Sequence, residues 1–259
     1  MKHMKKVDLN SDLGESFGNY KIGMDEEILS LISSANVACG FHASDPSVMN
    51  KTVKIAKESK VAIGAHPGYP DLVGFARRNM NIATADIKAM VIYQIGALQA
   101  FCAAYGVPMQ HVKPHGAMYN MAEKDEKIAK AICEAIKAVD ENLILLGPGS
   151  GKMVKAAKEI GLKTAGEVFA DRAYMEDGTL VPRSMPGAMI EDEEEAVERV
   201  LKMVQDGKVT CITGKEIPVQ ADSICVHGDG KKSLLFVQKI KNALEKEEIS
   251  IASMAEVIS

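Results

Sequence analysis

The sequence predicts a parallel (β/α)7-type barrel, and three observations predict it. Seven short apolar segments alternate with stretches of helical period. At least six of those segments end in polar or ionisable residues, at the C-terminal end of a strand, where parallel barrels gather their chemistry. No window of the 259 residues reads as a disordered tail or low-complexity linker, and 47% hydrophobic residues suffice for a large core. The expectation is one domain over residues 1–259.

Val7 to Asn10 is the first strand, running into Ser11, Asp12, Leu13, Gly14 and Glu15. Asp8, Asn10 and Asp12 are two apart and share a face if extended, which gathers oxygen atoms at the strand's end. Asp25 reads as the N-cap of a helix to Ser33, with Ile28, Leu29 and Ile32 on one face. The second strand, Asn36 to Phe41, ends in His42, and Asp45 with Pro46 opens a helix to about Ser59. Val61 to Gly64 is the third strand and leads into Ala65 and His66. The long loop behind it carries Arg77 and Arg78, and an arginine fork suits a carboxylate.

Thr84 reads as the N-cap of a helix of about twenty residues, with Ile87, Val91, Ile95 and Leu98 at helical spacing and Gly106 ending it. The fourth strand holds Val107, Met109 and Val112, followed by Lys113, Pro114, His115 and Gly116. If extended backbone persists across Pro114, Lys113 and His115 project to one side, and Gly116 leaves room for a ligand against the backbone. A helix from Asp125 to Val139 carries the stripe Ile128, Ile132, Ile136.

Leu143 to Leu146 is the fifth strand. The turn Gly147 to Lys152 is not a Walker loop: Leu146 stands where its first glycine should be, and Met153 where Ser or Thr should hold magnesium. The helix it opens, Met153 to Ile160, could favour an anion at its N-terminus. Thr164 to Phe169 is the sixth strand, with Glu167, Asp171 and Arg172 at its end, and the loop Ala173 to Ala188 could serve as a lid. The acidic run Glu191 to Glu195 starts a helix as a solvated face. Val209 to Thr213 and Ile217 to Val219 read as a β-hairpin before the last barrel strand, Ser223 to Val226, which ends in His227, Gly228 and Asp229. A final helix spans Ser233 to about Leu244, and Ile249 to Ser259 is ambiguous.

A net charge of −4, and no basic run interleaved with aromatics, argues against nucleic acid. Met1 to Lys6 leads into a strand without a signal-peptide core, and no stretch is expected to approach a membrane span, so the cytoplasm is the expected compartment. The five cysteines are scattered without CxxC spacing and read as buried thiols, Cys39 and Cys225 included. His3 and His111 fall outside the strand-end pattern and read as structural or incidental. The convergence of Asp12, His42, His66, Lys113, His115, Glu167, Asp171, Arg172, His227 and Asp229 on one mouth is the functional argument.

The segments DLNSDLGESFG from Asp8, SANVACGFHASDP from Ser34, IGAHPGYPDLVGFARR from Ile63, HVKPHGAMYN from His111, EVFADRAY from Glu167 and CVHGD from Cys225 together resemble the LamB/YcsF family. That pattern would have Gly at Ser44 and Ala76, and Leu at Met118. The resemblance implies a distorted barrel similar to the glycoside hydrolase/deacetylase superfamily. It also implies ATP-dependent opening of 5-oxoproline to glutamate together with two partner subunits, of B and C type, which bind the ATP. On that reading Lys113 and His115 stabilise developing negative charge, and a carboxylate among Asp12, Glu167 and Asp171 is the general base. His227 and Asp229 join the catalytic set, and Asn10, Arg78 and Arg172 bind substrate. Barrel deacetylases hold a divalent metal with one Asp and two His, a set that Asp12, His42 and His66 would supply. A stand-alone metal-dependent deacetylase or amidase, and a non-catalytic subunit that delivers 5-oxoproline, are the alternatives.

Overall fold

Alternation along the first strand decides what fills the barrel. The computed structural model describes residues 5–227 and 231–259. In β1 (Lys6–Leu13), Val7, Leu9 and Leu13 face the helices, whereas Asp8, Asn10 and Asp12 point the other way, into the barrel. The chain continues through α1 (Asp25–Ile28), β2 (Ser34–Ala38), α2 (Pro46–Glu58), β3 (Ala62–His66), α3 (Thr84–Tyr105), β4 (Met109–Val112), α4 (Gly116–Ala122), α5 (Glu126–Val139), β5 (Ile144–Pro148), α6 (Lys152–Glu159) and β6 (Lys163–Phe169). Then come α7 (Glu193–Asp206), the antiparallel pair β7 (Lys208–Thr210) and β8 (Glu216–Pro218), β9 (Ser223–Cys225), α8 (Lys231–Lys246), β10 (Ser250–Ile251) and α9 (Met254–Val257). Strands β1 to β6 pair in parallel in sequence order, and β9 pairs with both β6 and β1. The ring of seven is therefore closed, as the alternation of strands and helices predicts.

Its interior is a polar column. Asp8 accepts hydrogen bonds from the hydroxyls of Ser33, Ser34 and Ser223. Asn10 donates to Ser223 Oγ (2.7 Å) and accepts from Asn36 (2.8 Å), which also donates to Asp12. His111, expected to be structural, sits in this column with Nε2 on Asn36 Oδ1 (2.7 Å), and burial pushes its pKa down to about 3. Gly64 makes room for it, since a Cβ there would lie 2.2 Å from His111 Nε2. Every one of these buried groups has a partner, which is the condition for a polar core to be tolerated.

The helices pack outside through the expected stripes, such as Ile128, Ile132 and Ile136 of α5. Asp45, Asp125 and Asp192 cap α2, α5 and α7 through their carboxylates, each worth about 1 kcal/mol. Two expected caps are corrected. Met24 and Ala83 occupy the N-cap positions of α1 and α3, and Asp25 instead accepts from Gly14 N at 2.9 Å. The expectation that no stretch approaches a membrane span is corrected by α3, whose 22 residues reach a mean hydropathy of 1.4 over 18 residues. Its face of Ile87, Val91, Ile95 and Leu98 is buried against the barrel and α5, the setting of a core helix.

The C-terminal stretch left open by the sequence resolves into β10, paired with β1 at Lys6 and Val7, and α9, which carries a Ser253/Glu256 capping box. Met254 seals the barrel floor against Ile144, Leu146 and Ala165. The loop after β6 folds on itself around Ala173, Val181 and Ala188.

Candidate active site

Backbone pairing outlasts β4. Lys113 N donates to Ala65 O (2.9 Å) and His115 N to Pro67 O (2.8 Å), so the chain stays extended across Pro114 and both side chains face the mouth. Lys113 is the hub. Its Nζ lies 2.8 Å from Glu167 Oε1, 3.1 Å from Asp12 Oδ1, 3.3 Å from Asn10 Oδ1 and 3.3 Å from Cys225 Sγ. Burial favours the neutral amine, but Asp12, Cys225 and Glu167 outweigh it and hold the ammonium well above the ordinary lysine pKa. Burial also pushes the Asp12 carboxyl up, yet His66 and Lys113 bring it well below the usual range.

The carboxylates differ in what they have left to give. Glu167 is buried between Lys113 and the Tyr119 hydroxyl, which donates to its Oε2 at 2.8 Å. Asp12 Oδ1 is engaged by Asn36 and Lys113, while Oδ2 lies 3.4 Å from His66 Nε2. Asn10, expected to bind substrate, lies under Lys113 with both amide atoms hydrogen-bonded and no exposure. Gly116 is corrected too. Its φ of 55° and a Cβ that would meet Ala76 O at 2.7 Å show that it serves backbone packing, not ligand approach.

On one side of Lys113 the ends of β2, β3 and β4 bring three histidines together. His66 Nδ1–H donates to Lys113 O (2.7 Å) and His115 Nε2–H to Phe75 O (2.9 Å); His115 Nδ1 and His66 Nε2 lie 2.9 Å apart. His42 stacks on His115 at 3.8 Å, and its Nε2 is 3.1 Å from Glu15 Oε1 while its Nδ1 is buried without a partner. Phe75 stands edge-on to His42 and His115. Burial, reinforced by the neighbouring histidines, depresses His42 and His115 well below the ordinary imidazole pKa. One donor atom from each of Glu15, His42, His66 and His115 lies within 4.8 Å of the others, a set that could hold a metal ion. Of the expected set, His42 and His66 fall in this group, with Glu15 and His115 beside them, while Asp12 lies next to it, its Oδ1 on Lys113 and its Oδ2 3.4 Å from His66 Nε2.

On the other side, at the ends of β6 and β9, Asp171 Oδ2 holds His227 Nδ1 at 2.8 Å, and His227 Nε2 lies 3.9 Å from Cys225 Sγ. Burial opposes a charge on His227, but Cys225 and Asp171 overcome it and raise its pKa well above the ordinary value. Burial pushes the Cys225 thiol up. Arg172, 8% exposed, donates from Nη2 to Val181 O (2.7 Å), and its buried Nε has no partner. Asp229, with Gly228, lies outside the described residues, as does His3.

Arg78 does not join this convergence. Its Nε donates to Asp71 Oδ2 at 2.9 Å and its Nη2 to the other oxygen, on a loop where its side chain is 66% exposed. Arg77 lies over the Phe75 ring, 5.0 Å from its centre. At the N-terminus of α6, the expected anion is the protein's own. Glu123 accepts from Lys152 N (2.8 Å) and Met153 N (3.3 Å).

Three residues of the site escaped sequence reasoning or were discounted by it: Glu15, Tyr119 and Cys225. Cys225 alone carried a usable signal, since it faces inward two residues before His227.

The LamB/YcsF family is the family whose model matches, over residues 7–259. The A subunit of 5-oxoprolinase from Clostridium beijerinckii is 63% identical over 98% of this chain and 100% of its own length. Its counterpart from Campylobacter jejuni subsp. jejuni is 60% identical, with the same shares covered. Among solved structures, a lactam utilization protein from Thermus thermophilus superposes with a TM-score of 0.91 at 46% identity, covering 96% of this chain and 99% of that one.

Proposed function

The chain belongs to the LamB/YcsF family, and from that premise we propose that it opens the lactam of 5-oxoproline to L-glutamate, as the A-type member of an ATP-hydrolysing complex with B- and C-type partners. The full-length identity of 63% to the A subunit of a 5-oxoprolinase carries this reading. A five-membered lactam is a stabilised amide, so attack by water needs an activated carbonyl, and phosphoryl transfer from ATP supplies that activation. The partner subunits bind the nucleotide. In this chain the glycine-rich turn that precedes α6 already spends its helix N-terminus on Glu123, which supports that division of labour. An ATP-using complex with five free cysteines fits the cytoplasm.

At the mouth, Asp12 is the general base. Glu167 is enclosed by Lys113 and Tyr119, and Asp171 is held by His227 at 2.8 Å, whereas the second oxygen of Asp12 has only the longer 3.4 Å approach of His66 Nε2. Asp12 takes a proton from water as the water oxygen bonds to the lactam carbonyl carbon. The Lys113 ammonium stabilises the negative charge of the phosphoryl group carried by the former carbonyl oxygen. When the ring C–N bond breaks, His227 gives its proton to the departing nitrogen while Asp171 keeps the imidazolium oriented, and a second water then hydrolyses the resulting acyl phosphate, releasing inorganic phosphate and leaving glutamate. Arg172, with its unpartnered Nε, holds the substrate carboxylate. His115 has no role at the carbonyl, because both its nitrogens are directed elsewhere.

The test is glutamate formation from 5-oxoproline and ATP by this chain alone and with the two partner subunits. Glutamate from the mixture only is the expected result. No glutamate from the mixture, or glutamate from this chain alone without nucleotide, overturns the reading.

A further inference from the structure

Two hydrogen bonds fix the tautomers of His66 and His115, and the outcome is a conflict. A backbone carbonyl can only accept, so the bonds to Lys113 O and Phe75 O place the protons on His66 Nδ1 and His115 Nε2. The remaining nitrogens, His66 Nε2 and His115 Nδ1, then present lone pairs to each other at 2.9 Å. A third lone-pair donor, Glu15 Oε1, lies 3.6 Å from His115 Nδ1 and 3.1 Å from His42 Nε2. These three lone-pair atoms, joined by His42 Nε2 when that ring carries its proton on Nδ1, converge where three imidazoles are nearly inaccessible and repel one another unless something positive stands between them.

A shared proton relieves only the His66–His115 pair, and it would place an imidazolium beside a face-stacked His42 in a buried site. We propose instead that Glu15, His42, His66 and His115 bind one divalent transition-metal ion, with Asp12 outside its ligand set. Three imidazole nitrogens and one carboxylate suit Zn2+ and its Co2+ and Ni2+ stand-ins. The carbonyls of Lys113 and Phe75 are the outer partners that ligating histidines require, already in place on two of the three rings. Asp12 is left outside because its Oδ1 is engaged by Asn36 and Lys113 and its Oδ2, though 3.4 Å from His66 Nε2, does not converge with the four donor atoms of Glu15, His42, His66 and His115. The other candidate grouping, Asp12, Cys225 and His227, holds no second ion, because Lys113 Nζ already stands 3.1 Å and 3.3 Å from its carboxylate and thiol.

The full chain, stripped with a chelator, is titrated with Co2+ and followed by visible d–d absorption, with thermal unfolding in parallel. One equivalent should give a band that Zn2+ abolishes, without sulfur-to-cobalt charge-transfer absorption, and should raise Tm. Glu15→Gln and His66→Gln should each weaken binding by at least about tenfold, while Asp12→Asn stays within about threefold of the parent. Near-UV circular dichroism of the metal-free variants separates lost ligation from lost folding. The absence of a band, a charge-transfer band that places cobalt on Cys225, or loss of binding in Asp12→Asn equal to that in Glu15→Gln overturns the proposal. No substrate or partner subunit enters these measurements, so they fail or succeed independently of the lactam reading.

Discussion

The two sides of the barrel mouth use the same residue type to opposite ends. At the ends of β2 to β4, His42 and His115 are buried beside other imidazoles and held neutral far below the ordinary pKa. At the ends of β6 and β9, His227 is half-buried and faces Asp171 and Cys225, and it keeps its proton well above that value. One side offers lone pairs; the other offers a proton. A histidine at a strand end therefore says where chemistry gathers, and its neighbours say which chemistry. Lys113 stands on the seam, its carboxylate partners drawn from β1 and β6.

Removing the seam should have the largest effect. Lys113→Met is expected to lower glutamate release by the reconstituted complex about 10³-fold and to destabilise the chain by roughly 3–5 kcal/mol, since Asp12 and Glu167 lose their buried cation. Turnover within tenfold of the parent would take the two sides apart as independent units. The second effect separates the sides directly: His227→Gln should cost roughly 10²-fold in turnover while cobalt titration of the histidine cluster is unchanged, and equal loss of both would merge them.

A third measurement sets the mouth against the column beneath it. Burial, only partly offset by three serine hydroxyls, raises the Asp8 carboxyl from 3.8 to about 6. A raised carboxyl pKa favours the folded state while the group is protonated. Its contribution is full below pH 3.8 and is lost as pH rises to about 6, an effect of about 3 kcal/mol. Urea midpoints across this window should show the slope in the parent and not in Asp8→Asn; an identical slope in both would assign it to the mouth. Tyr119→Phe, which deletes one buried bond to Glu167, should lower stability by about 1–2 kcal/mol, read by thermal unfolding. The smallest change should be a gain. Ser44 holds φ at 74°, in the left-handed region, so Ser44→Gly should stabilise by about 1 kcal/mol in the same assay.

The ring of strands was legible because each strand carries its own period and ends in its own polar group. Asp12, His42, His66, Lys113, His115, Glu167, Asp171 and His227 all reach the mouth for that reason. What stayed hidden depends on contacts across the fold. Glu15 lies beyond the strand, past Gly14 at φ 70°, where alternation no longer predicts direction. Tyr119 sits on α4, a seven-residue helix capped at His115, where extended backbone gives way to a turn too short to show a period. Arg78 was expected at the substrate because nothing in its local sequence shows that Asp71, seven residues earlier, claims it. The ligand role of Asp12 depended on a lysine a hundred residues away.

The closure of the barrel by β9 also sets a timetable. β1 is complete at Leu13, but the neighbour that seals its free edge ends at Cys225, and Ser223, which bonds both Asp8 and Asn10, arrives with it. At roughly 5–20 residues per second, a growing chain carries an open-edged sheet with a half-satisfied carboxylate for some ten seconds or more. During synthesis, then, the most exposed hazard of this protein is its first strand, and its last barrel strand is the one that ends the risk.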